Sequence, residues 1–384
     1  MLGRIAGTVR FTEPLSFYTS LRIGGPAEFF VMPQDLNDVR YALAFAEHED
    51  LPVVVIGGGN NMLISDRGLQ AVVIKLEGIL GRAEFKGDEV AVGGGMPLAA
   101  LIREAAALGL GGLEHMAGIP ATVGGALATN ARSLEGSVLD LCTSVSFLHP
   151  DGTLGEYRPS SEGGGTRSFD LPTGGVVVGC RLQLVRRPPQ RIQENLRLRM
   201  KVWKDTQPFA LASAGYVWKN PPGDRAARLV ETVGLRGKRV RGAEISSKCG
   251  NLIINRGGAT HADVIALMEM ARDRVETRMG ITLQPEIRLL GAGVASVFET
   301  PALELSATVA PSGISASSTS SRLRTTSGGA RWASSSTTTN PPRSSAGRRI
   351  ASAVDRRSND SSASGASHTN SRSSCSAHSE IRLD

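Results

Sequence analysis

The segment that most constrains this 384-residue chain is a glycine-rich run at 118–131, GIPATVGGALATNA. Gly118, Gly124 and Gly125 remove Cβ atoms from a small, apolar stretch, and Asn130 adds an amide near its end. Glycine lets a backbone approach a ligand closely and adopt positive φ, so that peptide N–H groups can point at an anion. For any one of these glycines, a tight packing loop is the alternative.

A second glycine cluster, Gly57-Gly58-Gly59, follows a strand predicted at 52–56. A dinucleotide fingerprint requires G-x-G-x-x-G at the start of a helix, whereas Met62 stands at the third glycine position. Successive N–H groups and the amides of Asn60 and Asn61 still offer donors to a pyrophosphate. Two such loops, about sixty residues apart, suit a large ligand with two phosphates.

The composition changes abruptly after Gly291. Residues 292–384 contain ten arginines, no lysine and long runs of serine and threonine. Such a segment cannot bury enough apolar surface to fold, so we expect it to be disordered. Its six acidic residues leave it at +4, and only +3 of the chain's net charge of +7 belongs to residues 1–291. A reading frame shifted in GC-rich DNA is a second explanation of this composition.

The remaining composition excludes several classes of protein. The four cysteines show neither a CxxC pair nor a spacing typical of Cys/His zinc ligands, which predicts a reducing compartment and no metal site. A basic stripe with stacking aromatic residues is missing, so we expect no specific nucleic-acid partner. Neither a signal peptide nor a run of 18 apolar residues is found, so we predict a cytoplasmic protein without a membrane partner.

Apolar periodicity predicts alternating helices and strands. Helices are expected at 36–49, from Pro97 to about Gly109, from about Gln190 to Lys204, and from a capping-box pair formed by Thr260 and Asp263. The predicted strands are 52–56, 71–76, 89–92, 144–149, 176–184 and 283–290. In the last strand, Glu286 faces away from the apolar side chains. The fold class is therefore α+β.

Several segments together resemble a known family. The segments are SLRIGGPA at 20–27, GGGNNML at 57–63, GLE at 112–114 followed by the run at 118–131, GYVWKNP at 215–221, LVE at 229–231 with GLRG at 234–237, NLIIN at 251–255, and 283–291. In this order, they resemble the UDP-N-acetylenolpyruvoylglucosamine reductase family, MurB. The resemblance implies a vanillyl-alcohol-oxidase-like (PCMH-type) FAD-binding domain, followed by a MurB-type C-terminal α/β substrate domain. The short 184–207 connection resembles the compact branch of that family.

The resemblance also implies a reaction. FAD, reduced by NADPH as co-substrate, would serve the reduction of UDP-N-acetylglucosamine enolpyruvate to UDP-N-acetylmuramate, in peptidoglycan precursor synthesis. We expect FAD to be non-covalent, because His115 lies far from the first glycine loop in sequence. We also expect a monomer. The alternatives are another flavin oxidoreductase or oxidase on this fold, and a catalytically impaired flavin- or UDP-sugar-binding homologue.

Site residues follow from the same resemblance. The implied catalytic residues are Arg167, Tyr216 and Glu286, and the implied substrate-binding residues are Lys219 and Asn220. The implied cofactor-binding residues are Gly57, Gly58, Gly59, Asn60, Asn61, Met62, Gly118, Ile119, Pro120, Thr122, Gly124, Gly125 and Asn130. Without the resemblance, Arg167 would be interpreted as a solvated loop residue and Glu286 as a surface partner of Arg288.

Tyr216 departs from the family pattern, in which a serine donates a proton to C2 of the substrate. A phenol has a pKa of about 10 and can donate a proton, but its oxygen lies farther from the backbone. Three interpretations follow: Tyr216 donates in a reshaped site, Ser213 or a water molecule replaces the serine, or the enzyme is impaired. Cys249 stands where the family commonly has histidine, and we interpret it as a packing residue.

The resemblance and the composition divide the chain into four regions. An FAD-binding domain is predicted at 1–188, with two subdomains that divide near 78–90. A helical connection is predicted at 189–206 and the C-terminal substrate-binding domain at 207–291. The Ser/Thr/Arg-rich tail covers 292–384.

Overall fold

The structure is a computed structural model, and it describes residues 1–133, 135–159, 172, 174–206 and 211–291. All of these residues belong to one compact unit. The predicted catalytic residue Arg167 and the predicted tail at 292–384 lie outside the described residues. The domain boundaries predicted from the sequence stay predictions.

The described chain contains nineteen strands, several of them only two residues long. In chain order they are β1 (Thr8–Pro14), β2 (Pro26–Met32), β3 (Val53–Ile56), β4 (Met62–Ile64), β5 (Leu69–Lys75), β6 (Ala83–Lys86), β7 (Glu89–Gly93), β8 (Leu110–Gly111), β9 (Arg132–Ser133), β10 (Gly136–Ser137), β11 (Cys142–Leu148), β12 (Leu154–Tyr157), β13 (Val176–Gln183), β14 (Val185–Arg186), β15 (Ala212–Tyr216), β16 (Arg239–Val240), β17 (Ala243–Ile245), β18 (Leu252–Asn255) and β19 (Arg288–Leu290).

Six α-helices accompany these strands in the described residues. They are α1 (Leu36–His48), α2 (Leu98–Ala107), α3 (Val123–Ala128), α4 (Pro189–Thr206), α5 (Ala226–Thr232) and α6 (His261–Met279). Short 3₁₀ helices occur at Leu2–Arg4, Leu15–Phe17, Gly78–Gly81, Glu114–Met116 and Val138–Leu141. None of the helices in the described ranges is both long and apolar enough to cross a membrane.

The first sheet has the strand order β1-β2-β5-β3, so β3, which leads into the first glycine loop, lies at one edge. β2, β5 and β3 run parallel, whereas β1 is antiparallel to β2. The helix α1 covers one face by burying Val39 and Leu43 against Ile74 of β5. The side chain of Asp35 caps α1 by accepting from the N–H groups of Asn37 and Asp38. The first glycine loop therefore starts at the carboxyl end of a buried parallel strand.

The second sheet is antiparallel and has the order β12-β11-β13-β7-β6. The helices α2 and α3 bury the inner face of this sheet, with Leu98 and Leu101 packed near Phe147 and Leu182. Pro97 precedes α2 as its N-cap, which confirms the helix start predicted there. β12 was not predicted from the sequence.

The third sheet, β15-β18-β17-β16, belongs to the C-terminal part of the chain. α5 and α6 bury Leu229 and Leu267 against Ile253 of this sheet. The predicted capping box of α6 is confirmed: Thr260 Oγ1 accepts from the Asp263 N–H, and Asp263 Oδ2 accepts from the Thr260 N–H at 3.0 Å. Leu63 of β4 joins the same apolar cluster, so the core continues into the N-terminal part.

The strand predicted at 283–290 is divided between two partners. Residues near Pro285 lie antiparallel to Trp218, with a single bridge between these two residues. Only Arg288–Leu290 forms a regular strand, and this strand, β19, pairs in parallel with β4 of the N-terminal part. The alternation of faces was predicted correctly, because Gln284 and Glu286 are exposed while Leu283 is buried. The end of the C-terminal segment therefore lies directly beside the first glycine loop.

Glu244 of β17 provides a stability prediction. Its carboxylate is only 2% exposed, and it accepts from Arg256 Nη2 at 2.9 Å and from Arg239. Chiefly through Arg256, these guanidinium groups hold the pKa of Glu244 below its ordinary value of 4.5. A carboxyl group whose pKa is lowered in the folded protein stabilises the fold at pH values above its ordinary pKa. This stabilisation is lost as the pH falls through the lowered pKa.

We expect Glu244→Gln to lower the free energy of unfolding at pH 7 by about 1–3 kcal/mol, because two guanidinium groups lose their anion. The difference from the unchanged protein should shrink as the pH falls below 4.5, the ordinary pKa of the carboxyl group. Urea unfolding at several pH values measures this, with the exposed Glu84→Gln as the matched control. A loss that is equal at every pH would contradict the prediction.

Candidate active site

The two glycine-rich loops predicted from the sequence lie in contact. A Cβ atom added at Gly57 would lie 2.4 Å from Thr122 Oγ1, and one added at Gly58 would lie 3.5 Å from the carbonyl oxygen of Pro120. Because two segments so far apart in sequence meet here, they form one surface. We call residues 57–61 and 118–130 together the glycine cradle.

The first loop of the glycine cradle presents backbone donors. Among the described residues, no carbonyl accepts a hydrogen bond from the N–H groups of residues 57–61. Gly59 has φ +63°, and a Cβ atom there would lie 2.0 Å from the carbonyl oxygen of Tyr18. The carbonyl of Gly59 accepts from the N–H and the hydroxyl of Ser20 at 3.0 and 3.1 Å. The loop is thus anchored through this carbonyl, and its N–H groups can bind an anion.

The second loop uses its glycines differently. The N–H of Gly124 donates to the carbonyl of Gly94 at 2.8 Å, and that of Gly125 donates to Thr122 Oγ1 at 3.2 Å. A Cβ atom on Gly124 would lie 2.9 Å from the carbonyl oxygen of Gly94. Gly124 therefore permits close packing of α3 near the end of β7, which is the packing alternative stated for a single glycine. Neither glycine offers a free N–H to a ligand.

Asn130 closes the second loop with an unsatisfied acceptor. Its Oδ1 atom is buried and has no hydrogen-bond partner among the described residues, and its φ is 45°. A buried polar atom without a partner costs about 1–3 kcal/mol, so the site favours a ligand that carries donors. FAD carries such donors in its ribityl and ribose hydroxyl groups. The free N–H groups, the missing Cβ atoms and this acceptor all fit FAD.

Gly118 lies at the opposite end of this loop, under the helix α4. It has φ +96°, and a Cβ atom there would lie 2.7 Å from Cγ of Trp203. The indole of Trp203 therefore covers the turn that leads into Ile119 and Pro120. A larger residue at position 118 would displace either the tryptophan or the loop.

The segment that carries Glu286 is fixed by backbone hydrogen bonds. The Glu286 N–H donates to the Val217 carbonyl at 2.8 Å, and the Lys219 N–H donates to the Gln284 carbonyl at 2.9 Å. The Glu286 side chain is exposed, and no ion pair joins it to Arg288 in the described part of the chain. The surface ion pair considered as an alternative role for Glu286 is therefore not found.

Asn61 connects the glycine cradle to this segment. Its carbonyl accepts from the Arg288 N–H at 3.1 Å, and its Nδ2 donates to the Glu286 carbonyl at 3.4 Å. The carbonyl oxygen of Asn60 lies 3.2 Å from a Cβ atom built at Gly215, which has φ +73°. The residues next to Tyr216 and Glu286 thus contact the loop that presents the free N–H groups.

Tyr216 stands at the end of β15 and exposes 49% of its surface. Ser213 pairs with Ile254 earlier in the same strand, and the pairing is irregular between Ser213 and Tyr216. The irregularity coincides with Gly215. Tyr216 itself pairs with Leu252, so it ends the strand next to the glycine that contacts the cradle.

Lys219 and Asn220 follow on the same segment, and both are exposed. The Oδ1 of Asn220 accepts from the Ala226 N–H at 3.0 Å, at the start of α5. The amide oxygen of Asn220 therefore stabilises the start of the helix α5, and the NH₂ group of the same amide is left for other contacts. The backbone of Lys219 is held by Gln284, so its side chain can reach a substrate from a fixed position.

Arg288 is a further candidate for the site, beyond its predicted alternative role as a surface partner of Glu286. Its side chain is exposed to solvent, while the protein atoms around the guanidinium lower the pKa of that group through partial desolvation. Its N–H binds Asn61, and no carboxylate of the described residues forms an ion pair with its side chain. A guanidinium beside the cradle that forms no ion pair with a described carboxylate can bind an anion. The sequence contained a signal for this residue, because Arg288 stands two residues after Glu286 and therefore on the same face of the predicted strand.

The remaining reactive side chains lie in less suitable surroundings. Burial raises the pKa of the Cys249 thiol, which favours the unreactive protonated form and agrees with a packing role. The Nε2 atoms of His115 and His261 are buried without partners within the described ranges. Those ranges contain no group of three or more potential metal ligands.

Comparisons with known proteins agree with this geometry. Residues 207–290 match the family described as UDP-N-acetylenolpyruvoylglucosamine reductase, C-terminal domain, and residues 27–157 match the family described as FAD binding domain. The chain is 38% identical over 290 residues to UDP-N-acetylenolpyruvoylglucosamine reductase 2 of Symbiobacterium thermophilum, covering 75% of this chain and 94% of that protein. It is 40% identical over 292 residues to the reductase of an Anaeromyxobacter species, covering 75% and 90%.

A solved structure supports the same relationship. The UDP-N-acetylenolpyruvylglucosamine reductase (MurB) from Thermus caldophilus is similar with a TM-score of 0.64 and 35% identity, over 75% of this chain and 100% of that one. The predicted fold, an FAD-binding domain followed by a MurB-type C-terminal domain, is thus confirmed. These similarities, which agree with the glycine cradle and the segment beside it, show that the chain belongs to the UDP-N-acetylenolpyruvoylglucosamine reductase (MurB) family.

Proposed function

We propose that this protein is an FAD-dependent reductase that converts UDP-N-acetylglucosamine enolpyruvate into UDP-N-acetylmuramate. The observation that carries the proposal is the hydrogen bonding of Asn61, which joins the cradle to the segment of Glu286. The proposal also rests on membership of the family, whose members carry the name of this reductase. No feature of the described site favours an oxidase.

The glycine cradle would hold FAD through the N–H groups of residues 57–61 and the acceptor of Asn130. When bound, FAD supplies the hydride chemistry, which amino-acid side chains lack. The cofactor-binding residues predicted from the sequence remain proposals, with Gly124 and Gly125 acting through close approach. The neighbouring guanidinium of Arg288 adds positive charge at the same place.

The substrate would bind across the segment that contains Lys219, Asn220 and Glu286. Positive charge and donors are needed where the enolpyruvyl carboxylate gains electron density, and fixed groups are most effective there. We assign this stabilisation to Arg167, whose planar fork matches two carboxylate oxygens. Glu286 assists the stabilisation or the delivery of a proton. Lys219 and the NH₂ group of Asn220 would contact the nucleotide-sugar part.

NADPH is the proposed reductant, on the basis of the family resemblance. A monomer in the cytoplasm, with an FAD-binding domain at 1–188, a helical connection at 189–206 and a substrate-binding domain at 207–291, completes the proposal. The three larger sheets, formed from residues 8–75, 83–183 and 212–255, support this division. We also propose that the tail at 292–384 contributes nothing to the site.

We assign the proton transfer to C2 to Tyr216, since its exposed phenol follows a glycine that lies against Asn60. General acids contribute about 10²–10⁴-fold to turnover. We therefore expect Tyr216→Phe to lose about a hundredfold or more, while Tyr216→Ser retains activity because it restores the family residue. Steady-state kinetics with pH profiles measures both.

The two remaining interpretations give different results. Full turnover of Tyr216→Phe would exclude the tyrosine and favour Ser213 or a water molecule, and Ser213→Ala would then reduce turnover. An enzyme in which Tyr216→Ser greatly exceeds the unchanged protein would be an impaired one. FAD binding by each variant, measured by fluorescence quenching, controls for loss of the fold.

Product analysis tests the proposed function as a whole. The full-length protein, loaded with FAD, should consume NADPH only when the enolpyruvyl substrate is added. Mass spectrometry should then find a product that has gained two hydrogen atoms. NADPH consumption without substrate and in proportion to oxygen would contradict the proposal and indicate an oxidase.

A further inference from the structure

A second cavity lies away from the glycine cradle, on the outer face of the second sheet. Its volume is about 570 Å³, and it is lined by Glu89, Cys142, Thr143, Ser144, Glu156, Arg158, Pro159 and Arg181. Glu89 begins β7, whereas Gly93 ends this strand near α3. Four steps along a strand span about 13 Å, so the cavity and the cradle are separate sites.

Ser144 lines this cavity and lies beside a bulge in β11. Cys142 pairs with Leu182 and Ser144 pairs with Arg181, so Thr143 is the extra residue. The bulge places Ser144 on the same face as Arg181. The side chain of Ser144 is only 5% exposed, and its hydroxyl has no hydrogen-bond partner in the described part of the chain. A buried hydroxyl that lines a cavity without a partner favours a ligand there.

Guanidinium groups stand on both sides of this hydroxyl. Arg181 lies on β13, where its Nη1 donates to Glu89 Oε1 at 3.0 Å and its other nitrogen atoms remain available. On the opposite side, Val145 pairs with Tyr157, so Arg158 follows beside Ser144. No ion pair or hydrogen bond joins the Arg158 side chain to another described residue. The hydroxyl and two guanidinium groups form a site for a carboxylate.

The acidic residues of the cavity restrict the ligand further. Glu156 pairs with Ser146, two residues from Ser144 on the same face of β11, and Glu89 lies at the far edge beside Arg181. Two carboxylates and two guanidinium groups leave the lining with no net formal charge. A multiply charged anion gains little there, whereas a ligand with one negative and one positive group finds partners for both.

We propose that this cavity binds a small zwitterion, either an amino acid or a short peptide. Its carboxylate accepts from Ser144, Arg158 and Arg181, and its ammonium group lies against Glu156. The cavity has the size typical of sites for small molecules. The proposal does not depend on the function of the glycine cradle.

Titration of the FAD-loaded full-length protein with glycylglycine tests the proposal, and calorimetry or ligand-detected NMR reads it out. Acetate carries only the carboxylate and glycinamide carries only the ammonium group. We expect saturable binding of one glycylglycine, with acetate and glycinamide at least tenfold weaker. Ser144→Ala and Arg158→Gln should each weaken glycylglycine about tenfold, because each removes a hydrogen bond to a charged group. Arg103→Gln, on the exposed face of α2, is the matched control and should bind normally.

Three results would overturn the proposal. They are the absence of saturable glycylglycine binding, equal binding by both cavity variants and the control, and acetate binding as tight as that of glycylglycine. The last result would indicate a site for carboxylate alone. Thermal unfolding of Ser144→Ala and Arg158→Gln shows whether each variant keeps its fold, and Arg158→Gln changes only an exposed side chain.

Discussion

Glu286→Gln is expected to reduce turnover by about 10²–10⁴-fold, the range typical for removal of a group that stabilises charge or transfers a proton. FAD binding should be unchanged, because the contact between this segment and the glycine cradle runs through the Glu286 carbonyl and Asn61, not through the carboxylate. Glutamine keeps the shape and removes the charge. Stopped-flow measurement of each half-reaction locates the defect.

The reduction of bound flavin by NADPH should proceed normally in Glu286→Gln, and only the step with the enolpyruvyl substrate should slow. Glu84→Gln, on the exposed strand β6, is the matched control and should behave like the unchanged protein. If Glu286→Gln kept full turnover, Glu286 would be a surface carboxylate. An equal loss in both half-reactions would point to damage of the flavin site instead.

Gly59→Ala is expected to abolish FAD binding and to destabilise the protein. Its backbone has φ +63°, which costs an alanine about 1–2 kcal/mol. The new Cβ would also lie 2.0 Å from the carbonyl oxygen of Tyr18, so the loop must move. Overpacking of this kind costs about 1–3 kcal/mol more. Displacement of the loop would redirect the N–H groups of residues 57–61.

Gly87→Ala is a close control for this substitution. Gly87 has φ +68°, and a Cβ atom there meets nothing within 4 Å. Both variants therefore suffer a similar backbone strain, and only Gly59→Ala adds a clash beside the cradle. Urea unfolding and quenching of flavin fluorescence distinguish them. Normal FAD affinity in Gly59→Ala would show that the first loop does not bind the cofactor.

The sequence predicted two glycine loops that share one ligand, and the structure places them in contact, but the sequence did not predict how each loop would use its glycines. A glycine that frees an N–H group and a glycine that permits close packing both lack a Cβ atom, so their sequence signals are identical. Only the hydrogen bonds distinguish the engaged N–H of Gly124 from the free ones at 57–61. This difference depends on which backbone carbonyl lies close to each N–H group in the folded protein. The amino-acid composition of the loops does not contain that information.

The last strand shows the same limit from another direction. The alternation from Leu283 to Leu290 correctly predicted that Glu286 faces away from the core. Periodicity reports the face of a side chain and not the partner of a strand. It therefore did not reveal that β19 pairs with β4, or that Asn61 binds the backbone on both sides of Ile287. These contacts bring the segment of Glu286 to the glycine cradle.

The central claim is that reduced FAD, bound at the glycine cradle, reduces an enolpyruvyl substrate that is bound beside Glu286. Anaerobic stopped-flow absorbance tests it most directly: the yellow, FAD-loaded protein is first reduced with NADPH, and the enolpyruvyl substrate is then added without oxygen. We predict that the flavin absorbance returns on addition of that substrate. Absorbance that returns only when oxygen is admitted would contradict the account.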